Sequence, residues 1–582
     1  MSLGGEVEEL VRRSSLANAV KHGGKCSQSA VLARVLGERP SLRSNVKELM
    51  QLIGVVADQV NKMALEEQKV ALLKYGVFEE AVQHKREEKA LPPLADAERY
   101  ETVTTRFAPN PDSVLHLGSA RAIILSHDYA RMYNGRFILR FEDTDPRLKK
   151  AALPFYQSIR EDLKWLECTW DEEYFQSDRL PIYYEYARRL IEVGGAYVCT
   201  CKVEVFRRKL LKKKPCSCRV LSPKENLDRF DKMLDGTYGE GSAVLRVKTD
   251  LSHPNPAVRD WPALRIVDAK KHPHPRVGSI YRVWPLYNLA AGLDDHLMGV
   301  THIIRGKEHY TNMVRQRYMY EHLGWVYPTA IHYGRLKIEG GVLSKSKIMQ
   351  GVSKGVYSGF DDPRLATFQA LRRRGVLPQA IRQIIYEVNV RPVDATISWA
   401  ALYSINKKLV DKSSPRYFAV FDPVMLEVWG VEGEKLLVLK KHPEVESMGY
   451  RTLTLHPTLD GSVKVFVKRE DMDRVKASQA FRLMGFANLS DLREFGGRLQ
   501  ARISGYDLDS ARRSEYPLIH WVPADDCVKV KMVDQNGRLI VGVGERGLLD
   551  EPVGSMVQLE REGFARVDSR DEGSVTLYFC SR

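Results

Sequence analysis

Between residues 5 and 90 apolar side chains return every three or four positions, as in Leu49, Leu52, Ile53, Val56, Val60 and Met63, with charged residues between them. That is the period of an amphipathic helix, and it predicts a helical domain over 1–95. The pattern stops at "KREEKALPPL", where Pro92 and Pro93 break helix and mark a linker. "ETVTTRFAPN" then reads as a strand running into a loop, Leu117 to Asn134 as a helix, and "RFILRFEDTDP" as a nearly continuous apolar second strand. Strand, helix and strand in about 40 residues make a βαβ unit and hence a parallel sheet.

A second α/β piece follows at "HLMGVTHIIRGKEH" with the helical "TNMVRQRYMYEHLGW". The two pieces read as halves of one nucleotide-binding fold, over 96–195 and 285–350, with 196–284 as an insertion and 351–410 as a helical connecting subdomain. Over 411–582 the texture changes to short alternating segments. Val528, Val530 and Met532 alternate, Asn536-Gly537 supplies a tight turn, and Leu539, Val541 and Val543 alternate back. "TLDGSVKVFV" reads as a second such hairpin, and a pair of small β-barrels or a sandwich fits the remaining length.

At 582 residues the chain is too long for one hydrophobic core. Lys and Arg number 89 against 74 acidic residues, an excess of 15, with a pI of about 9.2, so a polyanion is the expected kind of partner. No apolar run approaches the ~18 residues of a membrane helix, and a cytoplasmic protein without a membrane partner is the simplest reading. Four of the eight cysteines (Cys199, Cys201, Cys216 and Cys218) form C-x-C, fourteen residues, C-x-C. Four thiolates at such spacings suit a closed tetrahedral structural zinc site, the alternative being reduced thiols that merely lie close. Seven basic residues and a single acidic one lie between Cys201 and Cys216.

Two stretches carry the chemistry. In "APNPDSVLHLGSAR" (108–121) a histidine and a glycine open a helix, where main-chain N–H groups bind phosphate and a glycine permits close approach. His116 can donate to phosphate oxygens, or can simply cap the helix. In "GVLSKSKI" (341–348), Lys345 and Lys347 flanked by serines can reach a triphosphate and stabilise charge as the transition state forms, or can be a solvated basic loop.

Taken together, an early "HLGS" and a late "LSKSK" resemble the paired His-Ile-Gly-His and Lys-Met-Ser-Lys-Ser signatures of class I aminoacyl-tRNA synthetases, with departures at Leu117, Ser119, Val342 and Leu343. "TRFAPNPDSVLHLGSAR", "RFEDTDP", "YNLAAGLDDHLMGVTHIIRGKEH" and "NKKLVDKSSPRYFAV" narrow the resemblance to the glutamyl/glutaminyl branch, and within it to the archaeal glutamyl type, whose anticodon-binding region is β-rich. The resemblance implies a Rossmann-type catalytic domain with a zinc-knuckle insertion, an N-terminal helical domain and a β-barrel anticodon-binding region.

It also implies roles. ATP would be held by Asn110, Pro111 and Asp112, by His116, Leu117, Gly118, Ser119, Ala120, Arg121 and Ala122, and by Gly306, Arg335, Leu336, Leu343, Ser344 and Lys345, with Mg2+ on the phosphates. His116, Gly118, Ser119, Lys345 and Ser346 would act in the chemical step. L-Glutamate would meet Arg106, Ala108, Asn110, Glu142 (on its ammonium), Tyr287 and Arg305. A buried substrate carboxylate requires a cation, and the glutaminyl branch has an uncharged residue where Arg305 stands, so Arg305 would select glutamate unless it is a structural partner of Asp294 or Asp295. The zinc knuckle would meet the acceptor arm of tRNA(Glu), through phosphates, and members of this type also charge tRNA(Gln). A monomer is expected. Glutaminyl specificity is the alternative within the enzyme class, and a non-catalytic tRNA-binding relative the alternative outside it.

Overall fold

A computed structural model gives the structure of residues 5–21, 24–75, 90–478, 480–496 and 498–582; the run 85–89 of the linker lies outside these. The chain divides into two compact units, Met1–Glu88 and Lys89–Arg582. In the first, helices Gly5–Lys21, Gln28–Glu38, Val46–Asn61 and Leu65–Leu73 surround a small core. Leu49, Ile53, Val56 and Val60 are buried in it with Val11, Leu16, Val31 and Val35, and Leu52 and Met63 pack at its margin.

In the second unit β1 (Thr104–Phe107), α1 (Leu117–Met132) and β2 (Arg136–Phe141) form the expected βαβ unit with its strands parallel, which β3 (Glu172–Phe175) extends. Farther along come α2 (Tyr287–Leu297), β4 (His302–Gly306), α3 (Tyr310–Leu323) and β5 (Thr329–Tyr333), with β4 and β5 also parallel. Thr301 N donates to Thr104 O (2.9 Å) and Thr104 N donates to Thr301 Oγ1 (2.8 Å), which sets β4 beside β1. The strand sequence across the domain is therefore β3-β2-β1-β4-β5, a doubly wound order that reverses between β1 and β4. Ligands of such sheets bind in the crevice outside the carboxyl ends of the strands at that reversal.

Between the halves, strands Ala196–Cys199, Val244–Val247, Pro262–Ile266 and Val283–Pro285 make an antiparallel sheet in chain order. Its core is built with Tyr183, Leu190, Phe230, Leu245 and Trp284. After the helices Phe368–Arg373, Pro378–Val388 and Trp399–Val410, the chain enters two seven-stranded sheets with separate cores, one around Val530, Val567 and Leu577 and the other around Leu426, Val465 and Trp521. The Asn536-Gly537 hairpin is present: Cys527–Val533 pairs with Leu539–Glu545, and Gly537 takes φ +77° in the turn, a conformation glycine adopts freely.

"TLDGSVKVFV" departs from the expected hairpin. The turn at 458–461 forms, but the strands flanking it do not pair with each other. Tyr450–Leu455 pairs with Lys435–Lys440, whereas Ser462–Lys468 runs antiparallel to Pro423–Trp429 and Trp521–Pro523. The non-local partner offers a full seven-residue register and places Val463, Val465 and Val467 in the core. Core burial of that face outweighs the local turn signal.

Candidate active site

The reversal point of the sheet is flanked by Arg106 near the end of β1, Glu142 just beyond β2 and Arg305 near the end of β4. Arg106 is not free: its Nε and Nη2 donate to Asp295 Oδ1 (3.0 Å) and Oδ2 (3.4 Å). Arg140, wholly buried, donates to the same Asp295 (2.9 Å) and to Glu142 Oε1 (3.1 Å). Burial alone would push the Asp295 carboxyl up, but Arg106 and Arg140 outweigh it and hold the group below its ordinary range. Burial pushes Glu142 up, opposed by Arg140 and Arg106. Asp294 is engaged elsewhere, by Arg179 (2.9 Å), Tyr183 (2.6 Å) and Gln176 (3.0 Å).

Arg305 is 6% exposed and touches only neutral oxygens: Nη1 donates to Tyr287 Oη (3.3 Å), and Nη2 donates to Gln316 Oε1 (3.2 Å) and Tyr327 Oη (3.1 Å). Among the described residues no carboxylate stands within ion-pairing distance of it, and its Nε is buried without a partner. The ion pair with Asp294 or Asp295 that would have made it structural belongs to Arg179, Arg106 and Arg140 instead. Three guanidinium groups thus face two carboxylates, leaving one positive charge in excess. Burying an unpaired cation is costly, and an anionic ligand would remove that cost. His309 and His332 add no charge, since burial, reinforced by Arg305, lowers each to about 4. His332 stands opposite Arg305 in the β4–β5 register, and its Nε2 is buried without a partner, as is Asn110 Oδ1.

Beside this pocket a cleft of about 460 Å3 is lined by His116, Gly118, Gly306, Arg335, Leu336 and Leu343, with Glu308 and Tyr333. His116 has extended backbone and caps α1, its Nδ1 accepting from Gly118 N (3.1 Å). Burial, and then the charge of Lys345, lowers its pKa to about 4, so the ring is neutral and carries its proton on Nε2. Capping and ligand binding are therefore compatible: one nitrogen ends the helix and the other remains a donor. A Cβ at residue 118 would lie 2.9 Å from the imidazole and 3.7 Å from Leu343 Cδ1, so glycine permits the close approach of both signatures. Lys345 opens the helix Lys345–Ser353, and its Nζ donates to Asp112 Oδ1 (3.1 Å).

Other expected contacts fall elsewhere. Arg121 is fully buried and donates to the carbonyls of Gly334, Val388, Asn389 and Arg391, so its side chain does not reach the cleft. Leu117, Ala120 and Ala122 pack into the core and offer the cleft only main chain. Ser119 N donates to His116 O (2.7 Å), Pro111 O accepts from Ala152 N (3.0 Å), and Ser344 and Ser346 hydroxyls lie 3.1 Å apart. Half-buried Ala108 precedes Pro109, whose carbonyl accepts from Glu142 N (2.9 Å) and so ties the loop to β2. Arg140, Gln316, Tyr327, His309 and His332 also belong to the site: Arg140 opens the stretch "RFEDTDP" and His309 closes "HIIRGKEH", though neither stretch marks them individually, and Gln316, Tyr327 and His332 lie in no such stretch.

Cys199, Cys201, Cys216 and Cys218 come together at the end of the inserted sheet, with all four Sγ within 4.8 Å of one another. Cys199 and Cys216 are 4.0 Å apart and Cys201 and Cys218 3.7 Å. Arg229 Nη1 approaches Cys218 Sγ (3.4 Å) and the Tyr197 hydroxyl lies 3.7 Å from Cys216 Sγ. The group can hold a metal ion. A second cluster, His127, Asp128 and Cys168, already has Arg382 donating to Asp128 and is an ionic network.

A family model described as "tRNA synthetases class I (E and Q), catalytic domain" matches residues 102–412. Two described as "tRNA synthetases class I (E and Q), anti-codon binding domain" match 414–494 and 518–568. The chain belongs to the class I tRNA synthetases of the E and Q group. Within it, the chain is similar to the glutamate–tRNA ligases of Pyrococcus abyssi (48% identical, 99% of this chain and 100% of that one) and Thermococcus kodakarensis (47%, 98% and 99%). A solved glutamate-tRNA synthetase from Elizabethkingia anophelis is 22% identical over 53% of this chain and 71% of its own, with a TM-score of 0.39.

Proposed function

We propose that the protein is a glutamate–tRNA ligase that activates L-glutamate with ATP and transfers it to tRNA(Glu). One observation carries the choice of amino acid: buried Arg305 has no anionic partner among the described residues. Glutamate brings two carboxylates and one ammonium, a net charge of −1 that complements the surplus of the pocket. In this reading Arg305 and Tyr287 take one carboxylate, Arg106 lies toward the other, Glu142 takes the ammonium, and Ala108 and Asn110 close the pocket. Glutamine, uncharged in its side chain, would leave the guanidinium buried and unpaired.

ATP fits the adjoining cleft. Its phosphates would meet the main chain at Gly118 and Ser119, the Nε2–H of His116, and Lys345 with Ser344 and Ser346, while its base and ribose would lie by Gly306, Arg335, Leu336 and Leu343. The α-carboxylate of glutamate attacks the α-phosphorus in line, an O–P bond forms, and pyrophosphate leaves. No protein nucleophile or general base is needed; the residues position the reactants and stabilise charge on the phosphates. Mg2+ bound to the phosphates would supply further charge stabilisation. A terminal ribose hydroxyl of tRNA then attacks the mixed anhydride and AMP leaves.

The cysteine group suits zinc. Tetrahedral Zn–S bonds of about 2.3 Å put sulfurs about 3.8 Å apart, close to the 4.0 and 3.7 Å observed. The basic segment between Cys201 and Cys216 would then be held rigid against acceptor-arm phosphates. The test is a charging assay with ATP, glutamate or glutamine, and purified tRNA(Glu) and tRNA(Gln). Glutamyl-tRNA(Glu), AMP and pyrophosphate are expected, and formation of glutamyl-tRNA(Gln) would extend the acceptor range to a non-discriminating enzyme. Faster charging with glutamine would overturn the assignment.

A further inference from the structure

We propose that Gln316, with Tyr327, is the positioning residue that holds the Arg305 guanidinium on neutral oxygens and so keeps the pocket selective for glutamate over glutamine. The proposal rests on the reading of Arg305 as the partner of a substrate carboxylate.

Gln316 is on α3 and is wholly buried. Its Oε1 accepts from Arg305 Nη2 (3.2 Å) and from Tyr327 Oη (2.7 Å), and its Nε2 donates to the Asn288 carbonyl (3.4 Å). These contacts fix which way the amide points. Because Tyr327 gives its proton to Gln316, its oxygen lone pairs face Arg305 Nη2, from which it accepts at 3.1 Å. Both hydrogens of Nη2 are thus used, and the guanidinium is oriented without being neutralised. Glutamic acid has the same length but would place a charge of −1 about 3.2 Å from the guanidinium, and as a carboxylate it could not donate to Asn288 O. An amide alone supplies one acceptor for Arg305 and Tyr327 and one donor for the carbonyl while adding no charge.

The backbone provides the room. A Cβ at Gly292 on α2 would lie 3.3 Å from Gln316 Cγ and 2.6 Å from Met319 Cε, so glycine lets α2 approach α3 closely enough to enclose the amide. Tyr320 Oη donates to Gly292 O (2.7 Å) and secures the same contact.

The test uses the full-length protein in steady-state charging of tRNA(Glu) with glutamate and with glutamine, and compares wild type with Gln316→Glu, Gln316→Met, Tyr327→Phe and Arg305→Leu. Gln316→Glu is expected to raise KM for glutamate roughly tenfold or more, to leave KM for ATP within about twofold, and to lower the glutamate-to-glutamine ratio of kcat/KM by roughly tenfold or more, as a neutralised cation requires. Tyr327→Phe should raise KM for glutamate by about threefold, in line with the loss of one neutral hydrogen bond. A merely structural defect would depress both amino acids alike.

If Gln316→Glu does not fold, as a thermal melt would reveal, Gln316→Met decides. It removes the acceptor for Arg305 but adds no charge, so KM for glutamate should rise several-fold while the constants for glutamine change less, and constants equal to wild type, or equal losses for both amino acids, would overturn the role. Unchanged discrimination in folded Gln316→Glu, alongside discrimination lost in Arg305→Leu, would overturn the role of Gln316 alone. Discrimination retained in Arg305→Leu would overturn the underlying reading.

Discussion

The Nζ of Lys345 lies 3.1 Å from Oδ1 of Asp112, joining two signatures 233 residues apart in the chain. With both side chains partly exposed, at 35% and 25%, the pair is worth ~1 kcal/mol or less. It must open for Lys345 to reach a triphosphate. Asp112→Asn should therefore lower KM for ATP by up to about fivefold, whereas Lys345→Met should reduce kcat by roughly a hundredfold or more. Charging kinetics at varied ATP check both, and an unchanged kcat in Lys345→Met would remove the lysine from the chemical step.

The knuckle gives a second expectation. A reduced preparation should contain one zinc per chain, and Cys216→Ser should lose it while retaining the fold of the catalytic sheet, whose core is separate from that of Tyr197, Phe206 and the cysteines. Metal analysis and circular dichroism report the two halves. Zinc well below one per chain in wild type would remove the metal site.

Histidine burial sets a pH dependence. His309 and His332 stand near 4 in the folded protein against an ordinary 6.5, so between those values the unfolded chain binds protons that the native state does not. Their contribution to stability is complete above about 6.5 and is lost as pH falls toward 4. Asp162 and Glu545, raised to about 7 by burial, pull the other way, so the informative comparison is between wild type and His332→Asn. The variant's thermal midpoint should fall less steeply between pH 6.5 and 5, and parallel curves would mean that His332 is charged in the fold.

What was legible in the sequence was what repeats or alternates. Leu49, Ile53, Val56 and Val60 at helical spacing, the apolar run before Glu142, and the Asn536-Gly537 turn each specify local structure, and each is present. The pairing of Ser462–Lys468 was not legible, because its partners lie dozens of residues away and only core burial selects them. The site divides in the same way. His116, Gly118 and Lys345 sit in short motifs, and Arg305 in a strand whose charge is conspicuous. Gln316 and Tyr327, unremarkable on helix and loop, matter only through Arg305, a contact that the meeting of α2, α3 and β4 creates. Asp295 could be suspected as an arginine partner, but which arginine it takes depends on β1 and β4 becoming neighbours.

The proposed function turns on that division of arginines: Asp295 holds Arg106, and Arg305 has no carboxylate partner among the described residues. It is tested most directly by the ratio of kcat/KM for glutamate to that for glutamine, measured in tRNA(Glu) charging for wild type and Arg305→Cys. With the buried cation gone, the ratio should fall by roughly a hundredfold or more, as expected for loss of a buried charge partner, while KM for ATP stays within about twofold. A ratio unchanged by the substitution, or equal losses for glutamate and ATP, would contradict the assignment.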